Sequence, residues 1–230
     1  MGTRKGGAAS KTEISIPMEW QLRETVFSVP RMGRYLNKYA GDAGRAGVAY
    51  DQNVLLAQAL MPALQTVEIA LRNAIHHSLS RSIGQPDWWT ALPAPEFDWL
   101  RLAVNEARTK ISRRKEGATT DKIVAELTFG SWTRLFNVQH GPTLWRRLMW
   151  AFPTCPKRKR QRAPISAAVN RIRDLRNRVM HHEPLLWVNP TVEELHATIL
   201  EVLDWIDPGI NRWLTQHDSV RLRWATCTAI

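Results

Sequence analysis

Residues 52–83 read QNVLLAQALMPALQTVEIALRNAIHHSLSRSI and open with the most apolar stretch of the chain. Their apolar residues recur at the three- and four-residue spacing of one helix face. Gly84-Gln85-Pro86 follows, and a glycine and a proline in this position end helices. The pattern therefore predicts one long helix over residues 52–83, kinked at Pro62.

The first part of this helix, residues 52–71, has about the length of a membrane span. Gln58 and Gln65 interrupt its apolar run, Glu68 adds a charge, and Arg72 closes it. Polar side chains at these positions favour a helix buried in a protein core over one that faces lipid. We therefore expect no membrane association.

The first eleven residues also lack the apolar segment of a signal peptide, which favours a cytoplasmic protein.

The rest of the chain has helical periodicity as well, and no stretch alternates apolar and polar residues between hairpin turns. The predicted fold class is therefore all-α. Glycines, prolines and capping residues predict further helices over residues 18–27, 31–39, 96–114, 121–128, 132–138, 142–152, 165–183, 189–206 and 210–214.

Several of these boundaries depend on single residues. Residues 41–47, GDAGRAG, are expected to form a flexible connection, and Gly130 and Gly141 to separate helices. Pro184 is expected to stop the helix that precedes it, because the residue before a proline avoids the α region. Asn189 is expected to cap the next helix.

The length of 230 residues is long for one average domain and short for two. Hydrophobic residues make up 44% and charged residues 23%, as in folded globular proteins. One helical domain is expected over residues 16–216. Residues 1–15 are expected to form a flexible tail, and residues 217–230 a tail to which the sequence assigns no structure.

The chain is strongly basic, with 32 Lys and Arg residues against 21 Asp and Glu residues and a formal net charge of +11. Such an excess favours binding of polyanions, RNA among them. Cys155 and Cys227 have no metal-ligand spacing, and no phosphate-binding glycine loop is present. We therefore expect no metal and no cofactor, and a reducing cytoplasm fits the two cysteines.

The densest charge lies in one short run, PKRKRQR at residues 156–162. It is either a solvated loop or a strip that contacts RNA phosphates. The residues of this basic strip are Lys157, Arg158, Lys159, Arg160 and Arg162.

The chain also has 11 tryptophans. We expect most of them in the core, with one or two available to stack on unpaired bases.

The segment RDLRNRVMHHEP at residues 173–184 concentrates guanidinium, amide and imidazole groups at one helix end. At about 100° per residue, Asn177 and His181 share a polar face, with Arg173 in line one turn earlier. The opposite, apolar face is expected to hold Ile172, Leu175, Val179 and His182.

These groups suit RNA cleavage without a metal. The imidazole of His181 would move a proton on or off the 2′-hydroxyl or the leaving oxygen. Arg176, at the edge of the same face, would stabilise the charge on the pentacovalent phosphate. A second interpretation stays open, in which the arginines are solvated and the two histidines only cap helix carbonyls.

The same segment resembles the R-N-x3-H-H-E-P form of the R-x4-6-H motif in the Abi-like (abortive infection) branch of the HEPN superfamily. Arg176, Asn177 and His181 fall on the motif positions. The similarity extends in order over residues 34–214. It includes YDQN at residues 50–53, EIALRN at 68–73, WW at 88–89 and VAELTFGSW at 124–132.

The resemblance implies a HEPN-type helical bundle with additional helices and an RNase toxin or anti-phage effector. Arg176, Asn177 and His181 would be catalytic, and Arg173 and His182 would support them. It also implies a homodimer whose two motifs form one composite site, and control by an antitoxin that is a protein or a small RNA. The alternative is a non-catalytic RNA-binding module that holds a structured regulatory RNA.

The spacing of the motif occurs a second time, in RNAIHH at residues 72–77. Asn73 and His77 are four residues apart, as the corresponding residues of the motif are. Glu68 lies one turn before Arg72 and is positioned to pair with it. We therefore expect Glu68, Arg72 and Asn73 to form a buried or interface polar network that supports the site. A second catalytic site is the alternative.

Overall fold

The computed structural model describes residues 18–227. Eleven α-helices and three short 3-10 turns occur in this range, and no strand does, which confirms the all-α class. The helices are α1 (Trp20–Phe27), α2 (Val29–Lys38), α3 (Ala43–Ile83), α4 (Asp98–Arg113), α5 (Thr120–Glu126), α6 (Phe129–Arg134), α7 (Gly141–Leu148), α8 (Arg162–Met180), α9 (Val192–Ile206), α10 (Pro208–Leu214) and α11 (Val220–Cys227). The 3-10 turns are Trp88–Ala91, Val138–His140 and Met149–Ala151.

The described residues divide into two compact units, the first ending at Asp51 and the second beginning at Gln52. The boundary lies within helix α3. The division of the sequence into one domain over residues 16–216 and a C-terminal tail stays a prediction. The tail predicted over residues 1–15 lies outside the described residues.

In the first unit, an ion pair joins helix α1 to the N-terminal part of α3. The Nη1 and Nη2 atoms of Arg23 donate to Oδ1 and Oδ2 of Asp51 at 2.7 and 2.8 Å. Arg23 is almost fully buried, so the bidentate pair compensates the burial of its charge. Gly47 lies beside the guanidinium, where an added Cβ would meet Nε of Arg23 at 3.7 Å.

Residues 41–47 are largely helical, so the flexible connection predicted there is wrong. Helix α3 begins at Ala43, and Oδ1 of Asp42 accepts a hydrogen bond from the backbone N–H of Arg45 at 2.9 Å. This contact pairs a backbone donor that the first helical turn leaves without a partner. It thereby offsets part of the cost of Gly44 and Gly47 inside the helix.

In the second unit, helix α3 presents one long face to the core. The side chains buried there are Leu56, Leu60, Ala63, Leu64, Val67, Leu71, Ile75 and Leu79. The helix is continuous through Pro62 and ends before Gly84, whose φ of +87° confirms the predicted stop. By length and composition alone α3 is apolar enough to cross a membrane, a property that core helices of soluble proteins share.

Tryptophans occupy much of this core. Trp88 and Trp89 follow α3 in a 3-10 turn and pack edge to face, with ring centroids 5.4 Å apart. Nε1 of Trp88 donates to Nδ1 of His76 at 3.2 Å. Burial lowers the pKa of His76, which keeps this nitrogen an acceptor. Trp150 and Trp213 lie outside the core, with 64% and 54% of their surface exposed.

The second unit stays helical beyond residue 216, where the sequence assigns no structure. Helix α11 buries Val220 and Cys227 against the core. Just before it, Oδ2 of Asp218 lies 2.9 Å from Nε2 of the buried His196. The contact lacks hydrogen-bond geometry. Burial lowers the pKa of His196 by more than the Asp218 carboxylate raises it. The lowered pKa favours the neutral imidazole. Because α11 packs against the core, the fold of the second unit extends to residue 227.

A side-chain cap begins one of the two helices at which glycines were expected to form breaks. Oγ1 of Thr128 accepts a hydrogen bond from the backbone N–H of Ser131 at 3.2 Å and begins α6. Gly130 therefore lies inside this helix. Gly141 is the first residue of α7 and lies at a helix start, next to the predicted break.

Helix α9 begins with a capping box that the sequence prediction displaced by two residues. Oγ1 of Thr191 accepts from the backbone N–H of Glu194, and the Glu194 carboxylate accepts from the backbone N–H of Thr191 at 2.8 Å. Each side chain thus pairs a backbone donor at the helix start. The prediction of Asn189 as the cap is wrong, because Thr191 occupies that position.

We expect the substitution Thr191→Ala to lower the free energy of unfolding by about 1 kcal/mol, because it leaves a backbone donor of the first turn without its cap. Asn189→Ala is the matched control and should change it by less than about 0.5 kcal/mol, because Asn189 is exposed. Urea denaturation followed by circular dichroism measures both. Equal losses for the two variants would contradict the cap assignment.

Candidate functional site

The motif segment lies at the C-terminal end of helix α8, in the second unit. The helix ends at Met180, and its last carbonyls accept hydrogen bonds from the backbone N–H groups of His181, His182 and Glu183. His182 adopts a φ of +56°, the left-handed conformation that glycine usually takes at this position. The end of the helix is therefore a Schellman turn built on a histidine.

This turn corrects two predictions about the segment. Helix α8 ends before His181, so Pro184 is not what stops it. His182 is exposed, which makes its predicted place on the apolar face wrong. The other predicted members of that face, Ile172, Leu175 and Val179, are buried as expected.

The side chain of Asn53, on helix α3, holds the backbone that follows the turn. Its Oδ1 accepts from the backbone N–H of Leu185 at 2.6 Å, and its Nδ2 donates to the carbonyl of Glu183 at 3.4 Å. Asn53 is 5% exposed and its bond to Leu185 is buried, so water does not compete for that bond. Asn53 belongs to the YDQN stretch at residues 50–53, where the sequence alone predicts no role for its side chain. Only the fold shows that it anchors the site.

Arg176 lies against Glu68 of helix α3. Nε of Arg176 and Oε2 of Glu68 are 3.4 Å apart, and both side chains are about one-third exposed or less. The Nε–H does not point at the carboxylate, so the contact is an ion pair without a hydrogen bond. The predicted pair of Glu68 with Arg72 is absent from the described residues, because Nη1 of Arg72 donates to the carbonyl of Ala125 at 3.4 Å.

Two further arginines of the segment are held by neighbouring carboxylates. Nη2 of Arg173 donates to Oδ1 of Asp174 at 3.0 Å. Nη1 of Arg178 donates to Oε2 of Glu183 at 3.2 Å across the Schellman turn. Arg173, for which a supporting role is predicted, therefore already pairs with a carboxylate of its own chain.

Asn177 and His181 are the polar groups that the turn leaves open. His181 is exposed and Asn177 is partly exposed. Within residues 18–227 neither side chain has a hydrogen-bond partner, and the backbone N–H of His181 donates to the carbonyl of Asn177 at 2.8 Å. An imidazole and an amide with free polar atoms thus lie one helical turn apart, as the spacing predicts.

The basic strip is only partly available to a ligand. Three of its five side chains have protein partners: Lys159 pairs with Glu201, Arg160 donates to the carbonyl of Pro153 at 3.3 Å, and Arg162 donates to the carbonyl of Phe136 at 2.9 Å. Lys157 and Arg158 are exposed, and no partner for them occurs in the described part of the chain. Arg162 is also the first residue of helix α8, so the strip is not one solvated loop.

The second copy of the spacing, on helix α3, has a mixed environment. Asn73 and His77 are exposed, so Asn73 does not belong to a buried network, and the alternative of a network at an interface stays a prediction. His76 is the buried histidine of the pair. Arg72 contacts helix α5, because its Nη1 donates to the carbonyl of Ala125. Of the predicted supporting residues on α3, only Glu68 therefore reaches the motif on α8.

In the range 18–227, no group of three or more His, Cys, Asp or Glu side chains is arranged to hold a metal ion. Comparison with protein-family models, with curated proteins and with solved structures finds no match to this chain. The site therefore has to be interpreted from its own chemistry. That chemistry comprises a guanidinium beside a carboxylate, and an exposed imidazole at a rigid helix end.

We expect Asn53→Ala to lower the free energy of unfolding by about 1–3 kcal/mol, because the buried N–H of Leu185 would lose its acceptor. Asn73→Ala is the matched control, an exposed asparagine on the same helix, and should change stability by less than about 0.5 kcal/mol. Chemical denaturation measures both, and amide hydrogen exchange at Leu185 should accelerate only in Asn53→Ala. Unchanged exchange in that variant would show that Asn53 does not hold the segment.

Proposed function

We propose that this protein is a metal-independent endoribonuclease of the Abi-like HEPN type. One observation carries the proposal: Arg176, Asn177 and His181 lie together at the exposed end of helix α8, where a Schellman turn fixes the backbone. The net charge of +11 supports RNA as the substrate, because it attracts phosphates before any specific contact forms. The family resemblance of the motif agrees with both.

The reaction proposed is an attack by the 2′-hydroxyl of RNA on the adjacent phosphorus. A bond forms between the 2′-oxygen and phosphorus, and the bond from phosphorus to the 5′-oxygen of the next nucleotide breaks. One imidazole accepts the proton of the 2′-hydroxyl, and a second proton donor protonates the 5′-oxygen. Arg176 stabilises the added negative charge on the pentacovalent phosphate. The products are a 2′,3′-cyclic phosphate and a 5′-hydroxyl.

The carboxylate of Glu68 has a positioning role in this proposal. A guanidinium beside a carboxylate loses part of its freedom to rotate, and its remaining N–H groups then point in fewer directions. At 3.4 Å without a hydrogen bond, the pair leaves the donors of Arg176 available for a phosphate. Asn177 offers an amide one turn before His181, from where it would hold the substrate backbone.

A homodimer would supply the two proton-transferring groups. Of the two exposed histidines at this helix end, only His181 occupies the motif position, whereas the reaction uses a base and an acid on opposite sides of the phosphate. Two copies related by a twofold axis would bring two such groups to one site. The resemblance supports the same arrangement. It also suggests a toxin or anti-phage effector in the cytoplasm, restrained by an antitoxin protein or small RNA.

Replacing either His181 or Arg176 with Ala should reduce RNA cleavage by about 10²-fold or more, because each change removes a transition-state contact. Arg171→Ala, an exposed arginine on the same helix, and His217→Ala, an exposed histidine, are the matched controls. Both should cleave like the wild type. Cleavage of labelled total RNA in the presence of a chelator measures the rates, and circular dichroism verifies that each variant is folded.

The wild-type products should carry 2′,3′-cyclic phosphates or their opened forms, and the chelator should have no effect. Strict dependence on magnesium, or undiminished cleavage by His181→Ala, would contradict the proposed mechanism. One rival function is that of a non-catalytic module in which Arg176 and the neighbouring arginines only hold phosphates of a structured RNA. The ion pair of Arg176 with Glu68 favours this rival. Tight binding of RNA without cleavage by either the wild type or His181→Ala would establish that rival.

Sedimentation velocity should show twice the mass of one chain at every protein concentration at which RNA is cleaved. The physical reason is that one motif lacks the second proton-transferring group. The loss of dimers on dilution should therefore parallel the loss of activity. A monomer that still cleaves RNA would overturn the composite site, although not the assignment of Arg176 and His181.

A further inference from the structure

A cleft of about 740 Å³ lies beside the C-terminal half of helix α3, within the second unit. Its volume falls in the range of sites for small ligands. Helix α3 contributes His77 and Arg81 to one wall, and the 3-10 turn Met149–Ala151 contributes Trp150 to the other. Ala74, Pro153 and Ile206 add apolar surface. No Asp or Glu side chain is among the residues that line it.

Trp150 is the most exposed tryptophan within residues 18–227, with 64% of its surface in solvent. A flat aromatic ring at the edge of a cleft is a platform for an unpaired nucleobase, because stacking works for any base. Trp213 offers a comparison. It is 54% exposed and also lines a groove, but no Arg or Lys lines that groove.

The polar side chains on one wall of the cleft are available to an anion. Arg81 is exposed, and neither an ion pair nor a hydrogen bond of its guanidinium occurs within residues 18–227. His77 is exposed beside it, one turn earlier on α3. The hydroxyl of Ser82 lies in the same lining and adds a further donor. A phosphate attached to a base stacked on Trp150 would therefore meet two nitrogen-bearing side chains.

The basic strip adjoins this cleft. Nη1 of Arg160 donates to the carbonyl of Pro153, and Pro153 is one of the lining residues. The nearby carboxylate of Glu201 pairs with Lys159, which reduces the repulsion between this carboxylate and a phosphate at the strip. Lys157 and Arg158 of the same strip are exposed. Phosphates that flank a nucleotide bound in the cleft would therefore meet further positive charge.

We propose that this cleft binds an unpaired nucleotide of single-stranded RNA, with the base on Trp150 and its phosphates on Arg81 and the basic strip. The inference rests on the proposed function insofar as RNA is the ligand. It also gives the second copy of the motif spacing a different role. His77 is a binding group and not a second catalytic histidine, because Arg72 points to the carbonyl of Ala125 and away from the cleft.

The test uses an unstructured 2′-O-methyl RNA 12-mer, which lacks the attacking hydroxyl and stays intact whether or not the protein is a ribonuclease. Fluorescence anisotropy at low salt measures its Kd with the full chain. Trp150→Ala should weaken binding about tenfold, and Trp150→Phe should restore most of it. Trp213→Ala is the matched control and should bind like the wild type. Arg81→Ala should weaken binding and reduce the slope of log K against log salt by about one.

The same 12-mer annealed to its complement should bind more weakly and be insensitive to Trp150→Ala, because paired bases do not stack on the ring. A photo-crosslink from a 4-thiouridine-labelled strand should map to the peptide that contains Trp150. Equal Kd values for wild type and Trp150→Ala, or equal losses for Trp150→Ala and Trp213→Ala, would overturn the proposal. Loss of cleavage in Arg176→Ala with unchanged binding would leave it intact, and absence of all binding to the single strand would refute it.

Discussion

The amide of Asn53 is the contact on which the candidate site depends. It pairs with the carbonyl of Glu183 and the N–H of Leu185, the backbone groups on either side of Pro184. The bond to Leu185 is buried and the bond to Glu183 is partly buried, so losing the Asn53 amide would leave a buried backbone donor without a partner. The chain that leaves helix α8 is therefore tied to helix α3. With Glu68 against Arg176, helix α3 holds the motif at two points.

Hydrophobic periodicity was sufficient to predict the fold class and the core-facing side of helix α8. Ile172, Leu175 and Val179 recur at the spacing of one helix face, and all three are buried. A periodic pattern records which side of a helix meets the core, since burial of apolar surface is the dominant stabilising term. The shared face of Asn177 and His181 follows from the same geometry, and neither side chain has a hydrogen-bond partner among the residues that the structure describes.

The parts that the sequence could not predict depend on contacts between distant residues or on local backbone detail. Asn53 and Leu185 are 132 positions apart, and no pattern within either helix indicates that they meet. Glu68 pairs with Arg176 because tertiary packing outweighs a helical pair that is worth only about 0.5 kcal/mol. The left-handed backbone of His182 ends helix α8 before any proline acts. Helix α11 is short, and such helices form only when packing stabilises them.

We propose different roles for the two copies of one spacing because their surroundings differ. Arg176 lies against the carboxylate of Glu68, whereas Arg72 donates to a backbone carbonyl. His181 lies at a helix end, where its ring is accessible from several sides, and His77 stays within a helix beside a cleft. A group that transfers protons must approach a reacting oxygen from the correct side, and a helix end permits that approach from a partner chain. A group that binds needs complementary neighbours, and a cleft beside a helix face supplies them.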